Sequence, residues 1–303
     1  MSTILITGAS GFVGSTLFGM AARGDLDGPH RFAPLPDSVD LRQPDGVQRA
    51  LEAAEYDAVL HLAALSFVPE SIERPSETYA VNLHGTIHLL EALTKRGFKG
   101  AFLYVSSGEV YGAVPAEALP VTEERAPRPR NPYAASKLAA EAYCCQASTT
   151  SSMRIVVARP FNHIGQGQSE RFFVPAMARQ IADIKQGRCA PRIEVGNMDV
   201  TRDFSDVRDV VHAYLRLLAQ GRPGEIYNVC SGIERNVGDV LRRMLELARV
   251  DAAIEVVAGN VRPNEQRRHC GSNRKLCDDT GWQPKIPFEQ SLRDLLRSGT
   301  PTL

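Results

Sequence analysis

An α/β fold, with a doubly wound parallel sheet and a smaller C-terminal α/β region, is what this sequence predicts. Three observations carry the prediction. Short apolar runs alternate with helical patterns through the first half, a glycine-rich turn follows the first run, and the pattern changes after residue 162. Alternating strands and helices require a parallel sheet covered on both faces, because each crossover helix lies over one of them. A glycine turn between the first strand and the first helix makes the sheet one of Rossmann type.

The elements follow in order. Residues 3–7 read as a strand that enters the glycine turn, and a helix runs on to about residue 23. Residues 30–35 form a weaker strand and 58–62 a clear one. Leu83, Ile87, Leu90 and Leu93 share one helical face, which predicts a helix over 76–96. A strand at 101–105, a helix at 132–146 and a strand at 155–158 complete the first half. Beyond it, 172–187 and 236–249 are helical and 193–195 and 226–229 are short strands. Trp282 and Phe288 read as core residues of the tail. The expected division is a dinucleotide-binding domain at 1–162, with 203–230 returning to it, and a substrate-binding region at 163–202 and 231–303.

Composition narrows the function. The 303 residues carry 35 basic and 35 acidic side chains, a balance that argues against a nucleic-acid scaffold. No apolar run approaches the roughly 18 residues of a membrane span. The first apolar run, Ile4-Leu5-Ile6, is too short for a secretory leader and passes at once into the glycine turn. Six cysteines, at 144, 145, 189, 230, 270 and 277, form no CxxC pair and no zinc-like spacing. Reduced thiols, no metal, no membrane or nucleic-acid partner and a cytoplasmic setting are the expectations.

Thr7-Gly8-Ala9-Ser10-Gly11-Phe12-Val13-Gly14 spaces its glycines G-x-x-G-x-x-G. Glycine permits the tight turn and lets backbone approach a pyrophosphate, which sits at the positive end of the following helix. Gly8, Gly11, Phe12, Val13 and Gly14 are therefore expected to cradle a dinucleotide. Asp40 and Leu41 are placed for the adenine, and Leu62, Ala63, Ala64 and Pro160 complete the expected cofactor contacts. The cofactor is NADP(H) or NAD(H): near the end of the second strand, Asp37 suits a free ribose hydroxyl and Arg31 suits a 2′-phosphate.

Asn131-Pro132-Tyr133-Ala134-Ala135-Ser136-Lys137 starts a helix with a cap and a first-turn proline. Tyr133 and Lys137 are four residues apart, on one helical face. A free tyrosine titrates near about 10. A positive charge about 4 Å away is worth up to about 4 kcal/mol, enough to draw the phenol toward neutrality as an acid–base group. Upstream, Val105-Ser106-Ser107-Gly108-Glu109 lies at the carboxyl end of a strand, where open parallel sheets bind their ligands. Ser107 rather than Ser106 is expected to face the site and hold the oxygen that Tyr133 protonates. Glu109 is open to two roles, general base or loop support.

These segments together resemble the extended short-chain dehydrogenase/reductase family, which works on nucleotide-diphosphate sugars. The resemblance covers nearly the whole chain: TGASGFVG, VSSGEVYG, NPYAASK, RPFNHIGQGQ, RDFSDVRDV, YNVCSG and GWQPKIPFEQSL. It implies that Ser107, Tyr133 and Lys137 are the catalytic triad, and that Asn162, Arg202, Arg262 and Glu265 hold the nucleotide-diphosphate part of a GDP-sugar. Arginine forks suit diphosphate oxygens and a carboxylate suits ribose hydroxyls. The implied reaction is NAD(P)H-dependent reduction of the C4 ketone of GDP-4-keto-6-deoxy-D-mannose to GDP-D-rhamnose. Dehydration or epimerisation of a related nucleotide sugar is the alternative, because Ser107-Gly108-Glu109 keeps the spacing in which the family's dehydratases carry their glutamate. Small residues crowd the Tyr133 helix from Ala134 to Ala142, and the resemblance implies a homodimer formed through this helix and the one at 76–96.

Overall fold

Runs of Val, Ile and Leu too short for helices become strands buried on both faces. The computed structural model describes residues 2–257, 259 and 266–298. The first half runs β1 (Ser2–Thr7), α1 (Phe12–Arg23), β2 (His30–Pro34), α2 (Pro44–Glu52), β3 (Ala58–His61), α3 (Val68–Glu73) and α4 (Pro75–Tyr79). It continues α5 (Gly85–Lys95), β4 (Ala101–Val105), α6 (Pro132–Thr150) and β5 (Arg154–Pro160). The second half adds β6 (Asn162–Ile164), α7 (Phe173–Lys185), β7 (Arg192–Val195), β8 (Thr201–Asp206), α8 (Val207–Gln220) and β9 (Ile226–Val229). Then come β10 (Glu234–Asn236), α9 (Val237–Ala248), β11 (Ala253–Val256), β12 (Arg268–His269), α10 (Arg274–Thr280) and α11 (Phe288–Ser298).

The large sheet has the order β2-β1-β3-β4-β5-β9, and all its pairs are parallel. Its order reverses between β1 and β3, so the carboxyl ends of these strands open a crevice there. Leu17 and Met20 of α1, Tyr214 and Leu217 of α8, and Leu276 and Trp282 fill one face. Leu51 of α2, Leu89 and Leu93 of α5, and Ala140 and Cys144 of α6 fill the other. A third core joins Met177 and Ile181 of α7 to Leu241 and Met244 of α9, Leu292 of α11 and Phe204 of β8. Around β8 lies a small sheet. β10 pairs antiparallel with it on one side, and β12 and β6 pair parallel with it on the other.

Two elements differ from the sequence reading. The helix expected over 76–96 is two helices joined by a single wide π-turn at Ala80–His84. The turn turns Asn82 inward, where its side chain is 1% exposed and bonded to other elements. The sequence reading named no helix in α8, although Val207, Val210, Val211, Tyr214, Leu217 and Leu218 repeat at helical spacing and all are buried. Asp206 caps it by accepting from Arg208 N.

Candidate functional site

The glycine turn closes the carboxyl end of β1. Gly8 has φ +66°, and a Cβ there would stand 2.8 Å from Ala63 N. On Gly14 a Cβ would lie 2.5 Å from Ala9 O, so only glycine lets α1 start this close to the turn. Gly11 precedes α1 and no side chain caps the helix, which leaves its first N–H groups for an anion. Phe12 stacks on His163, ring centres 5.8 Å apart, and Val13 packs on the first core. Leu62, Ala63 and Ala64 follow β3 beside the turn: Leu62 N donates to Thr7 O, and Ala63 N to Thr7 Oγ1. Pro160 ends β5, and Leu41 is buried. Asp40 is held below the usual carboxylate range by hydrogen bonds from Arg42. These residues fit a dinucleotide.

The two candidates for reading its ribose separate cleanly. Asp37 accepts from Ser10 Oγ at 3.0 Å and so touches the turn. Arg31 pairs with Thr3, near the amino end of β1 and away from the turn. The sequence reading that let Arg31 meet a 2′-phosphate is corrected: the register puts it at the wrong end of the sheet.

A buried polar chain links the turn to the catalytic helix. Thr7 Oγ1 meets His61 Nδ1 at 2.7 Å, and His61 Nε2 meets Thr86 Oγ1 at 2.9 Å. Thr86 Oγ1 donates to Asn82 O, Asn82 Nδ2 donates to Ser136 Oγ, and Ser136 Oγ donates to Tyr133 O. Burial first, and then the nearby Lys137 charge, push His61 down to about 3, so the ring is neutral. Nothing along the sequence joins these residues: Thr7 and Ser136 sit in the two motifs, but His61, Thr86 and Asn82, which connect them, are far apart along the backbone and lie in neither.

Asn131 caps α6 as expected, accepting from Ala134 N at 2.8 Å. Tyr133 hydrogen-bonds Ser107, and Ser107 Oγ also accepts from Glu109 N. Ser106, by contrast, is 1% exposed and points into the protein. Lys137, buried on the same helix, donates from Nζ to Val105 O at 2.7 Å and lies 5.1 Å from the Tyr104 ring centre. Burial pushes Tyr133 up to about 12; the Ser107 bond opposes this and the Glu109 charge adds to it. Lys137 is pushed down to about 7 by burial. Burial outweighs the charge that the spacing of Lys137 and Tyr133 was expected to supply. In a dry site, lost hydration penalises the phenolate more than one spent ammonium returns. The phenol is held protonated, the state a proton donor needs.

Across the crevice, Asn162 opens β6, and among the described residues its buried Oδ1 has no hydrogen-bond partner. Arg202 of β8 donates from Nη1 to Thr201 O and Gln266 O. Arg262 and Glu265 lie outside the described residues. Asp203 next to Arg202 is fully buried and ties the region together, accepting from Ser231 N, Ser231 Oγ and Gly232 N. Burial raises it above the usual carboxylate range, against the bonds from Ser231. Glu109 is half-buried and near both Tyr133 and His269: burial raises Tyr133 and the Glu109 charge adds to it, while burial lowers His269 and the Glu109 charge opposes it. Among the described residues, no His, Cys, Asp or Glu cluster is placed to hold a metal ion, and no helix is long and apolar enough to cross a membrane.

Known proteins fit this arrangement. Residues 37–295 match the family model described as GDP-mannose 4,6 dehydratase. The GDP-6-deoxy-D-mannose reductase of Pseudomonas aeruginosa is 49% identical over 97% of this chain and 95% of its own. The GDP-6-deoxy-D-talose 4-dehydrogenase of Aggregatibacter actinomycetemcomitans is 32% identical over 92% of this chain and 91% of its own. In structure, the chain superposes with a TM-score of 0.93 on RMD from Pseudomonas aeruginosa complexed with NADPH, 48% identical over 99% of each chain. On the Thermus thermophilus UDP-glucose 4-epimerase complex with NAD the score is 0.86, at 28% identity, with 99% of this chain and 100% of that one covered.

Proposed function

The chain belongs to the GDP-mannose 4,6-dehydratase family of extended short-chain dehydrogenases, and on that premise we propose that it reduces the C4 ketone of GDP-4-keto-6-deoxy-D-mannose to GDP-D-rhamnose. One observation carries the reading: the Tyr133 phenol is buried at the capped start of α6 against Ser107, just past the carboxyl end of β4, where burial favours its protonated form. Reduction of a ketone needs that state, because the developing alkoxide must take a proton. The 49% identity to a reductase supports the choice of substrate.

The glycine turn and the uncapped start of α1 hold the cofactor, whose reduced nicotinamide supplies the hydride when bound. Ser107 orients the carbonyl oxygen, Tyr133 gives that oxygen its proton, and Lys137 resupplies Tyr133 from the same helix. Asn162 and Arg202, with Arg262 and Glu265, hold the GDP portion. Asp37 at the turn favours a free ribose hydroxyl, and so NADH over NADPH, because a second anion there repels a 2′-phosphate. The protein works in the cytoplasm as a homodimer, built on α6 and the α4–α5 helices.

Incubation with the keto sugar and reduced cofactor tests the reaction. Stoichiometric oxidation of NADH or NADPH is expected; none with either cofactor would sink the reading. Glu109 near Tyr133 supports one alternative, dehydration of GDP-mannose, which consumes no added reductant and is separated from reduction by the same assay.

A further inference from the structure

His269 stands where the two halves of the crevice meet, and neither the motifs nor the proposed chemistry gives it a task. It is 2% exposed, stacks on Phe161 with ring centres 4.4 Å apart, and lies across from Arg202 in the small sheet. Its Nε2 is 3.1 Å from Gly108 O, the carbonyl between Ser107 and Glu109. A carbonyl only accepts, so Nε2 carries the hydrogen and Nδ1 is left with a bare lone pair. Among the described residues that Nδ1 is buried and has no partner. The contrast with His61 is direct, since both nitrogens of that ring are bonded.

A buried acceptor without a donor is costly, and one kept in a native fold points to a partner that arrives later. The surroundings say what kind. The ring lies within electrostatic reach of Glu109, on the turn that carries Ser107, and of Arg202, which the proposed function puts beside the GDP portion. A Cβ on Gly108 would come within 3.2 Å of His269 Cε1, so the imidazole fits flush against the catalytic turn. Arriving sugar brings hydroxyl donors to this place. We propose that His269 Nδ1 accepts a hydrogen bond from a hexose hydroxyl of the bound GDP-sugar, while Nε2–H fixes the ring through Gly108 O. This rests on the GDP-sugar reading of the site. It makes His269 a residue that selects for the sugar, and it couples the sugar's arrival to the position of the Ser107–Glu109 turn.

Calorimetric titration with GDP and with GDP-mannose tests it, because only the second carries a hexose. His269→Gln keeps a donor for Gly108 O and lacks the Nδ1 lone pair. It is expected to bind GDP as the wild type does and GDP-mannose about tenfold more weakly. His269→Phe, which keeps the stack on Phe161, should show the same loss together with a lower kcat, since the turn also loses its tether. Unchanged GDP-mannose affinity in His269→Gln would overturn the proposal, leaving a trapped water as the partner of Nδ1. An equal loss for both ligands would overturn it too, as a general distortion. Wild-type oxidation of reduced cofactor by the keto sugar is a separate measurement: its failure removes the proposed reaction and leaves the titration result standing.

Discussion

The joint between the glycine turn and α6 and the small sheet around β8 solve the burial of polar groups in opposite ways. In the joint, Thr7, His61, Thr86, Asn82 and Ser136 are buried and satisfy one another in an unbroken series. On the substrate side, Asn162 Oδ1, Gln168 Oε1, Gln266 Nε2 and His269 Nδ1 are buried and without partners among the described residues. Internal bonds make the first region rigid before any ligand arrives, which suits a cofactor gripped the same way in every turnover. The second leaves bonding capacity unspent, which the proposed substrate would meet. The difference teaches where to look for each defect: stability on one side, recognition on the other.

The largest effect is expected where the regions meet. Tyr133→Phe should lower kcat by about 10²- to 10⁴-fold and leave NAD(P)H binding intact, as read by stopped-flow turnover and cofactor titration. Wild-type turnover in that variant would remove the proton-donor role.

Next comes the joint itself. His61→Phe takes one hydrogen-bond partner from each of two buried threonine hydroxyls and should cost about 2 kcal/mol of unfolding free energy, measured in urea. The wild type carries a further signature. Its folded-state His61 sits near 3, below the unfolded value, so stability is intact above about pH 6.5 and is lost as pH falls toward 3. The single histidine contributes a slope of about 1.4 kcal/mol per pH unit in that window. His61→Phe should flatten the slope by that amount, and an unchanged slope would mean that the ring takes up its proton in the native state.

Asn162→Ala sharpens the contrast from the other side. It should raise KM for the keto sugar about tenfold and leave the urea midpoint within about 0.5 kcal/mol of wild type, because the lost amide was not serving the fold. A large stability loss would erase the distinction between the two regions. The smallest change is expected at the rim of the turn. Asp37→Ala should raise the ratio of kcat/KM for NADPH over NADH by about threefold to tenfold, through removal of one repelling charge.

Much of this protein was legible along the chain. The glycine turn, the capped Tyr133 helix and the strand end before Ser107 depend on local rules: φ above zero at Gly8, a side-chain cap at Asn131, an apolar run that stops at Val105, which is itself only half-buried. Local rules survive folding, so those positions were right to within a residue or two. α8 is the exception: its apolar spacing is regular, and the structure adds it as a helix over Val207–Gln220.

Tertiary structure decided the rest. Strand register put Asp37 at the turn and Arg31 at the far end of the sheet, a distinction six residues of sequence cannot make. Burial set the protonation of Tyr133 and Lys137, reversing what their spacing suggests, because desolvation depends on everything packed around a group and not on its neighbours in sequence. The sequence by itself determined which chemistry is present. Only the fold decided which polar atoms are already satisfied, and therefore that both nitrogens of His61 are bonded while His269 Nδ1 is left without a partner among the described residues.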